Sequence, residues 1–118
     1  MDKLFPKSRR LTLSGEFRQV RELGVAQHSK LLVFSVLRPS PDESLRVGFI
    51  TSKRVGSAVE RNRVRRRLRE IFRLNQHRLL PNTWIVTIAR HSAKLATYER
   101  LASDWLLLAR RAAILTAE

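Results

Sequence analysis

The apolar and polar positions of this chain follow helical spacing in some segments and strand spacing in others. Helical segments repeat apolar residues every three or four positions, which places them on one face. Strand segments are short and either continuously apolar or alternating. Along the chain, these patterns predict a helix, then two strands, a second helix, a further strand and a third helix. This order predicts an α+β fold, a single-domain α–β sandwich with a small central sheet and helices packed on it.

Three helices are predicted from this spacing and from capping residues. The first covers residues 14–23 and begins at a serine that can cap it. The second begins at Ser57, where Glu60 completes a capping box, and extends to about residue 74. The third covers about residues 97–113. Its apolar face comprises Tyr98, Leu101, Ala102, Trp105, Leu108, Ala109 and Ala112.

Three strands are predicted over residues 31–37, 45–51 and 83–89. The segment 39–44 contains two prolines and small polar residues, which favour a turn. We therefore expect the first two strands to pair as a hairpin. Residues 1–13 are basic and are predicted to be irregular.

Charge is the strongest feature of the composition. Twenty-four lysines and arginines oppose ten acidic residues, and the net charge of the 118 residues is +14. The excess positive charges repel one another in a compact monomer, so a polyanionic partner would stabilise the protein. Nucleic acid is the favoured partner, and an anionic membrane surface is the less favoured alternative. Most of the cations are arginines, which suit bidentate contacts with phosphate. The absence of cysteine is consistent with a cytoplasmic protein.

The second predicted helix combines an apolar arc with a row of arginines. The arc is about 100° wide and comprises Val64, Leu68, Ile71 and Phe72. Arg61, Arg65 and Arg69 lie along one flank at i, i+4 and i+8. Like charges at this spacing repel, and phosphate groups would turn the repulsion into hydrogen bonds. A solvated basic face is the alternative interpretation, but the charge has a single sign and the helix is anchored.

The distribution of acidic residues and histidines along the chain argues against a nuclease that cleaves RNA with its own side chains. Such an enzyme needs clustered carboxylates or a histidine-based acid and base. The acidic residues are scattered, and His28, His77 and His91 lack ligand-like spacing. A structural RNA-binding protein, such as a small ribosomal protein, is the alternative function. A peripheral membrane protein is disfavoured, because the apolar arc of the second helix is needed to hold that helix to the domain core and so is not free to bind a membrane.

Residues 53–66 read KRVGSAVERNRVRR and resemble the signature of the bacterial ribonuclease P protein subunit. Further similarity lies at residues 9–11, at Phe17 and Val20, and at residues 46–48, 68–70, 72–73 and 85–90. The resemblance implies a single RNA-binding domain over residues 1–118, with a left-handed βαβ crossover. It implies a subunit that binds the catalytic RNA and the 5′ leader of precursor tRNA and assists removal of the leader. It implies no catalytic residue in the protein, Mg²⁺ held by the RNA, and neither a membrane nor a small-molecule substrate.

The expected sites follow from this resemblance and from the arginines of the second helix. The RNA-binding set comprises Lys53, Arg54, Arg61, Asn62, Arg63, Arg65, Arg66 and Arg69. The leader-binding cleft comprises Phe17, Val20, Arg21, Ser35 and Thr51. Phe17 also fits a core position by its spacing alone. Arg21 stands where many family members have an aromatic residue, and Ser35 where some do, so strong stacking of the leader does not follow from the resemblance. Substitution at Arg21 by charge and substitution by guanidinium stacking are both open.

Overall fold

The computed structural model describes residues 7–12 and 14–116. The main elements are α1 (Ser14–Leu23), β1 (Val25–His28), β2 (Leu32–Leu37), β3 (Arg46–Ile50), α2 (Ala58–Asn75), β4 (Trp84–Ala89) and α3 (Tyr98–Arg111). Short 3₁₀ turns lie at Lys7–Arg9, Gln76–Arg78 and His91–Leu95. The predicted helices and strands are present with shifts of at most two residues at their ends. β1 was not predicted.

The four strands form one sheet in the order β1-β2-β4-β3. β2 is antiparallel to β1 and to β4, whereas β3 is parallel to β4. The predicted hairpin between β2 and β3 is therefore wrong, since β4 lies between them. The connection over residues 38–45 spans two strand spacings, about 10 Å, and leaves room for β4. β3, α2 and β4 form a βαβ unit.

The two faces of the sheet carry separate hydrophobic cores. The face covered by α2 and α3, here called the helix-pair face, holds the larger core. On it the rings of Phe34 and Trp105 meet edge to face at a centroid distance of 5.3 Å. The Trp105 indole N–H donates a hydrogen bond to Thr87 Oγ1 at 3.1 Å, which satisfies a buried polar group. The opposite face, here called the α1 face, has a small core of Leu11, Val20, Trp84 and Val86.

The apolar arc of α2 is buried as predicted, since Val64, Leu68, Ile71 and Phe72 are each at most 1% exposed. Burial of these side chains removes apolar surface from water and fixes the rotation of α2 about its axis. The predicted face of α3 is also buried or half-buried. Both long helices therefore have a defined outward side.

The N-terminal segment, where the structure describes it, consists of a short 3₁₀ turn and a single bridge to the sheet. After the first 3₁₀ turn, Arg10 forms a parallel bridge with Val47, and the Leu11 N–H donates to the Val47 carbonyl at 3.1 Å. Leu11 is buried in the small core of the α1 face. Residues 1–6 and 13 of the predicted segment lie outside the described residues. Within the described part of the chain, no helix is both long and apolar enough to span a membrane.

Candidate RNA-binding interface

The start of α2 is fixed by the predicted capping box. The Glu60 N–H donates to Ser57 Oγ at 3.2 Å, and the Ser57 N–H donates to Glu60 Oε1 at 2.9 Å. This backbone hydrogen bond from Ser57 is the main cause that lowers the pKa of Glu60 below 4.5. Gly56 has a φ of +148°, and a Cβ there would lie 2.1 Å from Glu60 Oε1. Glycine therefore permits the capping box that positions the arginines behind it.

Arg61, Arg65 and Arg69, hereafter the arginine row, lie beside the buried arc of α2. The side chain of Arg69 is exposed, while Arg61 and Arg65 are half-buried. Partial desolvation of the guanidinium lowers the pKa of Arg69 although the residue is exposed overall, and the positive charges of Arg65 and Arg10 lower it further. The cations of the row thus repel one another across a stiff helix, and bound phosphates would relieve that repulsion.

Arg65 is held by hydrogen bonds from both of its terminal nitrogens. Nη1 donates to Asn62 Oδ1 at 2.8 Å, and Nη2 donates to Thr51 Oγ1 at 2.7 Å. Asn62 is one turn earlier on α2, whereas Thr51 directly follows β3. The contact with Thr51 therefore ties the arginine row to the edge of the sheet.

The remaining members of the predicted RNA-binding set are exposed: Lys53, Arg54, Asn62, Arg63 and Arg66. Lys53 and Arg54 lie in the turn that leads from β3 to the cap of α2. The Arg54 carbonyl is 2.8 Å from His91 Nδ1, so the turn contacts the 3₁₀ segment that precedes α3. The structure thus brings this basic turn and the first part of α2 together.

Other basic residues make internal contacts, among them Arg67, Arg73 and Arg46. Arg67 Nη1 donates to the Ala96 carbonyl at 2.9 Å and joins α2 to the segment before α3. Arg73 Nε donates to Glu70 Oε1 at 2.9 Å, which is the main cause that lowers the pKa of Glu70. Arg46 forms an ion pair of 3.4 Å with Glu16.

A cavity of about 870 Å³ opens between α1 and the end of β3. We call it the α1 cleft. Its lining comprises Ser14, Phe17, Arg18, Arg21, Glu22, Phe49 and Ile50. Apolar rings beside guanidinium groups suit a nucleic-acid strand, because bases stack on the rings and cations bind phosphates.

The α1 cleft adjoins the arginine row. A second cavity of about 130 Å³ is lined by Phe17 and Phe49, which also line the α1 cleft, and by Arg10 and Arg69. Gly48 lies at its floor, where a Cβ would approach the Phe17 ring to 2.4 Å. A glycine at this strand position thus allows α1 to pack closely on β3.

The residues predicted for the leader-binding cleft occupy two different environments. Phe17 and Arg21 line the α1 cleft. Val20 is fully buried in the small core, and Ser35 and Thr51 are at most 8% exposed. These three side chains are buried between the sheet and the helices that pack on it, and so they do not line the α1 cleft.

Sequence reasoning missed five of the cleft residues: Ser14, Arg18, Glu22, Phe49 and Ile50. Arg18 and Glu22 could have been predicted from helical spacing. Arg18 is three residues before Arg21 and Glu22 is one residue after it, so all three lie on the same exposed side of α1. Phe49 could not be predicted as a cleft residue, because the alternation of β3 places it on the helix-pair face. It reaches the cleft because β3 is the edge strand of the four-stranded sheet.

A basic α–β domain with an arginine row beside an open cleft has the features of an RNA-binding protein. The family model described as Ribonuclease P matches residues 5–113 of the chain. The chain therefore belongs to the ribonuclease P protein family.

Curated relatives agree with this assignment. The chain is 42% identical to the ribonuclease P protein component of Clostridioides difficile over 96 residues, which cover 80% of this chain and 83% of the relative. It is 40% identical to that of Desulfovibrio desulfuricans over 113 residues, which cover 93% and 87%.

Solved structures share the fold. The RNase P protein of Thermotoga maritima superposes with a TM-score of 0.76 at 26% identity, over 86% of this chain and 98% of the other. The protein from Staphylococcus aureus gives a TM-score of 0.85 at 24% identity, over 93% and 100%.

Proposed function

We propose that this chain is the protein subunit of a cytoplasmic ribonuclease P ribonucleoprotein. It binds the catalytic RNA through the arginine row and the basic turn before α2. It binds the 5′ leader of precursor tRNA in the α1 cleft, and so assists endonucleolytic removal of the leader. The observation that carries the proposal is the contiguity of the cleft and the row through Phe17, Phe49 and Arg69 in a member of this family.

The RNA, not the polypeptide, is proposed to carry the chemistry. Several carboxylates already have structural partners: Glu16, Glu60, Glu70 and Asp104 bind Arg46, the cap of α2, Arg73 and Arg100 respectively. In the described part of the chain, no three metal-ligating side chains are grouped as a metal site requires. This donor set supports a division of labour in which Mg²⁺ is bound by the RNA and the protein binds and orients substrate.

The decisive experiment reconstitutes cleavage of precursor tRNA at low Mg²⁺ with the ribonuclease P RNA of the same organism. We expect the protein to accelerate cleavage by the RNA and to be inactive alone. Cleavage by the protein alone would overturn the assignment of chemistry to the RNA. Co-sedimentation with ribosomal subunits, without any effect on cleavage, would instead favour a ribosomal protein, the alternative that family membership disfavours.

The arginine row is tested by the salt dependence of RNA binding. Each phosphate contact contributes about one unit to the slope of log affinity against log salt. Arg65→Ala should therefore reduce the slope for the ribonuclease P RNA by about one unit. Arg110→Ala removes an equal charge from the exposed end of α3 and serves as the matched control. Equal slopes for both variants would remove Arg65 from the interface.

A further inference from the structure

Thr51 has an unexpected environment for a residue at the end of an edge strand. It is 8% exposed, and its hydroxyl accepts a hydrogen bond of 2.7 Å from Arg65 Nη2. A buried hydroxyl needs such a partner, and the contact joins residues that are fourteen positions apart in the chain. The sequence expectation of a direct contact between Thr51 and RNA does not fit this burial.

The Arg65 guanidinium is oriented from two sides, by Thr51 and by Asn62. Two acceptors on different terminal nitrogens fix the plane of the group as well as its position. A guanidinium has five N–H donors, so donors beyond these two can bind phosphate oxygens. An arginine that is already ordered loses less conformational freedom when it binds phosphate than a free arginine does.

We propose that Thr51 is a positioning residue that holds Arg65 for a phosphate of the catalytic RNA without touching the RNA itself. The inference rests on the proposed function. Thr51 follows Ile50, which lines the α1 cleft, and Arg65 is one turn before Arg69, which lines the adjoining cavity. The hydrogen bond therefore joins the end of the strand that borders the cleft to the helix that carries the arginine row.

The first test separates the hydroxyl from the packing of Thr51. Thr51→Val keeps the shape and removes the acceptor, whereas Thr51→Ser keeps the acceptor and removes a methyl group. We expect the valine variant of the full chain to bind the ribonuclease P RNA about three- to tenfold more weakly, equivalent to about 0.7–1.4 kcal/mol. Its slope against salt should be unchanged, because Arg65 still reaches the phosphate. The serine variant should bind like the wild type.

The second test asks whether Thr51 acts through Arg65. In the double variant Thr51→Val/Arg65→Ala, the valine substitution should cause no further loss beyond that of Arg65→Ala, because coupled residues are not additive. Melting temperatures of all variants show whether each remains folded. A purely structural role would instead lower the melting temperature and give additive losses of affinity.

Several results would overturn the positioning role alone. They are wild-type affinity in the valine variant, a loss that serine does not restore, additivity in the double variant, and no effect of Arg65→Ala. In each of these cases the wild type still binds the ribonuclease P RNA. Failure of the wild type to bind that RNA would instead overturn the proposed function.

Discussion

The two faces of the sheet differ in what they bury. The helix-pair face is covered by two helices over a continuous core that includes Phe34, Phe72 and Trp105. The α1 face carries one short helix and a small core of four buried apolar residues, one of them from the helix itself, and a cavity of about 870 Å³ opens at its side. The difference shows how a small domain can keep an open cleft: the helix-pair face supplies the larger core, so the α1 face need not be fully covered.

The largest effect is expected from Phe72→Ala on the helix-pair face. Phe72 is fully buried, and truncation of a buried phenylalanine costs about 3–5 kcal/mol through lost burial and a residual cavity. Urea denaturation of the free protein measures the loss. A loss equal to that of an exposed control, Leu107→Ala, would show that the large core does not dominate stability.

A smaller effect of a different kind is expected from Phe17→Ala in the α1 cleft. Stacking of one base on an aromatic ring contributes about 1–3 kcal/mol, so affinity for precursor tRNA in the holoenzyme should fall roughly 5- to 150-fold. Mature tRNA lacks the leader, and its affinity should be unchanged. Equal losses for both RNAs would identify Phe17 as a packing residue and would weaken the contrast between the two faces.

The close contact between α1 and β3 gives a third test. In Gly48→Ala the new methyl group meets the Phe17 ring, which is half-buried and can shift away. We expect a loss of about 1 kcal/mol in stability together with weaker discrimination between precursor and mature tRNA. Unchanged discrimination would show that the position of the Phe17 ring is not critical for the leader.

The smallest effect is expected at the cap of α2, which belongs to the helix-pair face but lies at the surface. The pKa of Glu60 is lowered in the folded state, so its stabilising contribution is present above pH 4.5 and is lost as the pH falls through the folded pKa. Glu60→Gln retains the capping hydrogen bonds and cannot titrate. Its melting temperature should therefore vary less than that of the wild type in this acidic range.

The control for this pH effect is Glu99→Gln, which removes an exposed carboxylate from the first turn of α3. If both variants showed the same dependence on pH, the titration would be unrelated to the capping box.

The sequence alone predicts the helices well and the sheet only in part. The arc of α2 and its capping box are local patterns, and both are confirmed. β1 has only four residues, mostly exposed at the edge of the sheet, so no apolar alternation marks it. The hairpin prediction assumed that consecutive strands pair, whereas β4 enters between β2 and β3 from far along the chain.

In the candidate site too, local features are predictable from the sequence and contacts between elements are not. The arginine row is visible from spacing within α2, because it depends on one helix. The hydrogen bond between Thr51 and Arg65 depends on how two elements are packed, and no local pattern encodes it. Burial of Val20 and Ser35 likewise follows from the docking of α1 on the sheet.

The parallel pairing of β3 with β4 has a consequence for synthesis on the ribosome. Among the named strands β3 pairs with β4 alone, and β4 is translated after α2. A nascent chain that ends before Ala89 therefore has no completed sheet against which α2 can be seated. The arginine row therefore reaches its final place on the sheet only after residues 84–89 have been translated, so the proposed RNA-binding surface is completed well after its own arginines have been made.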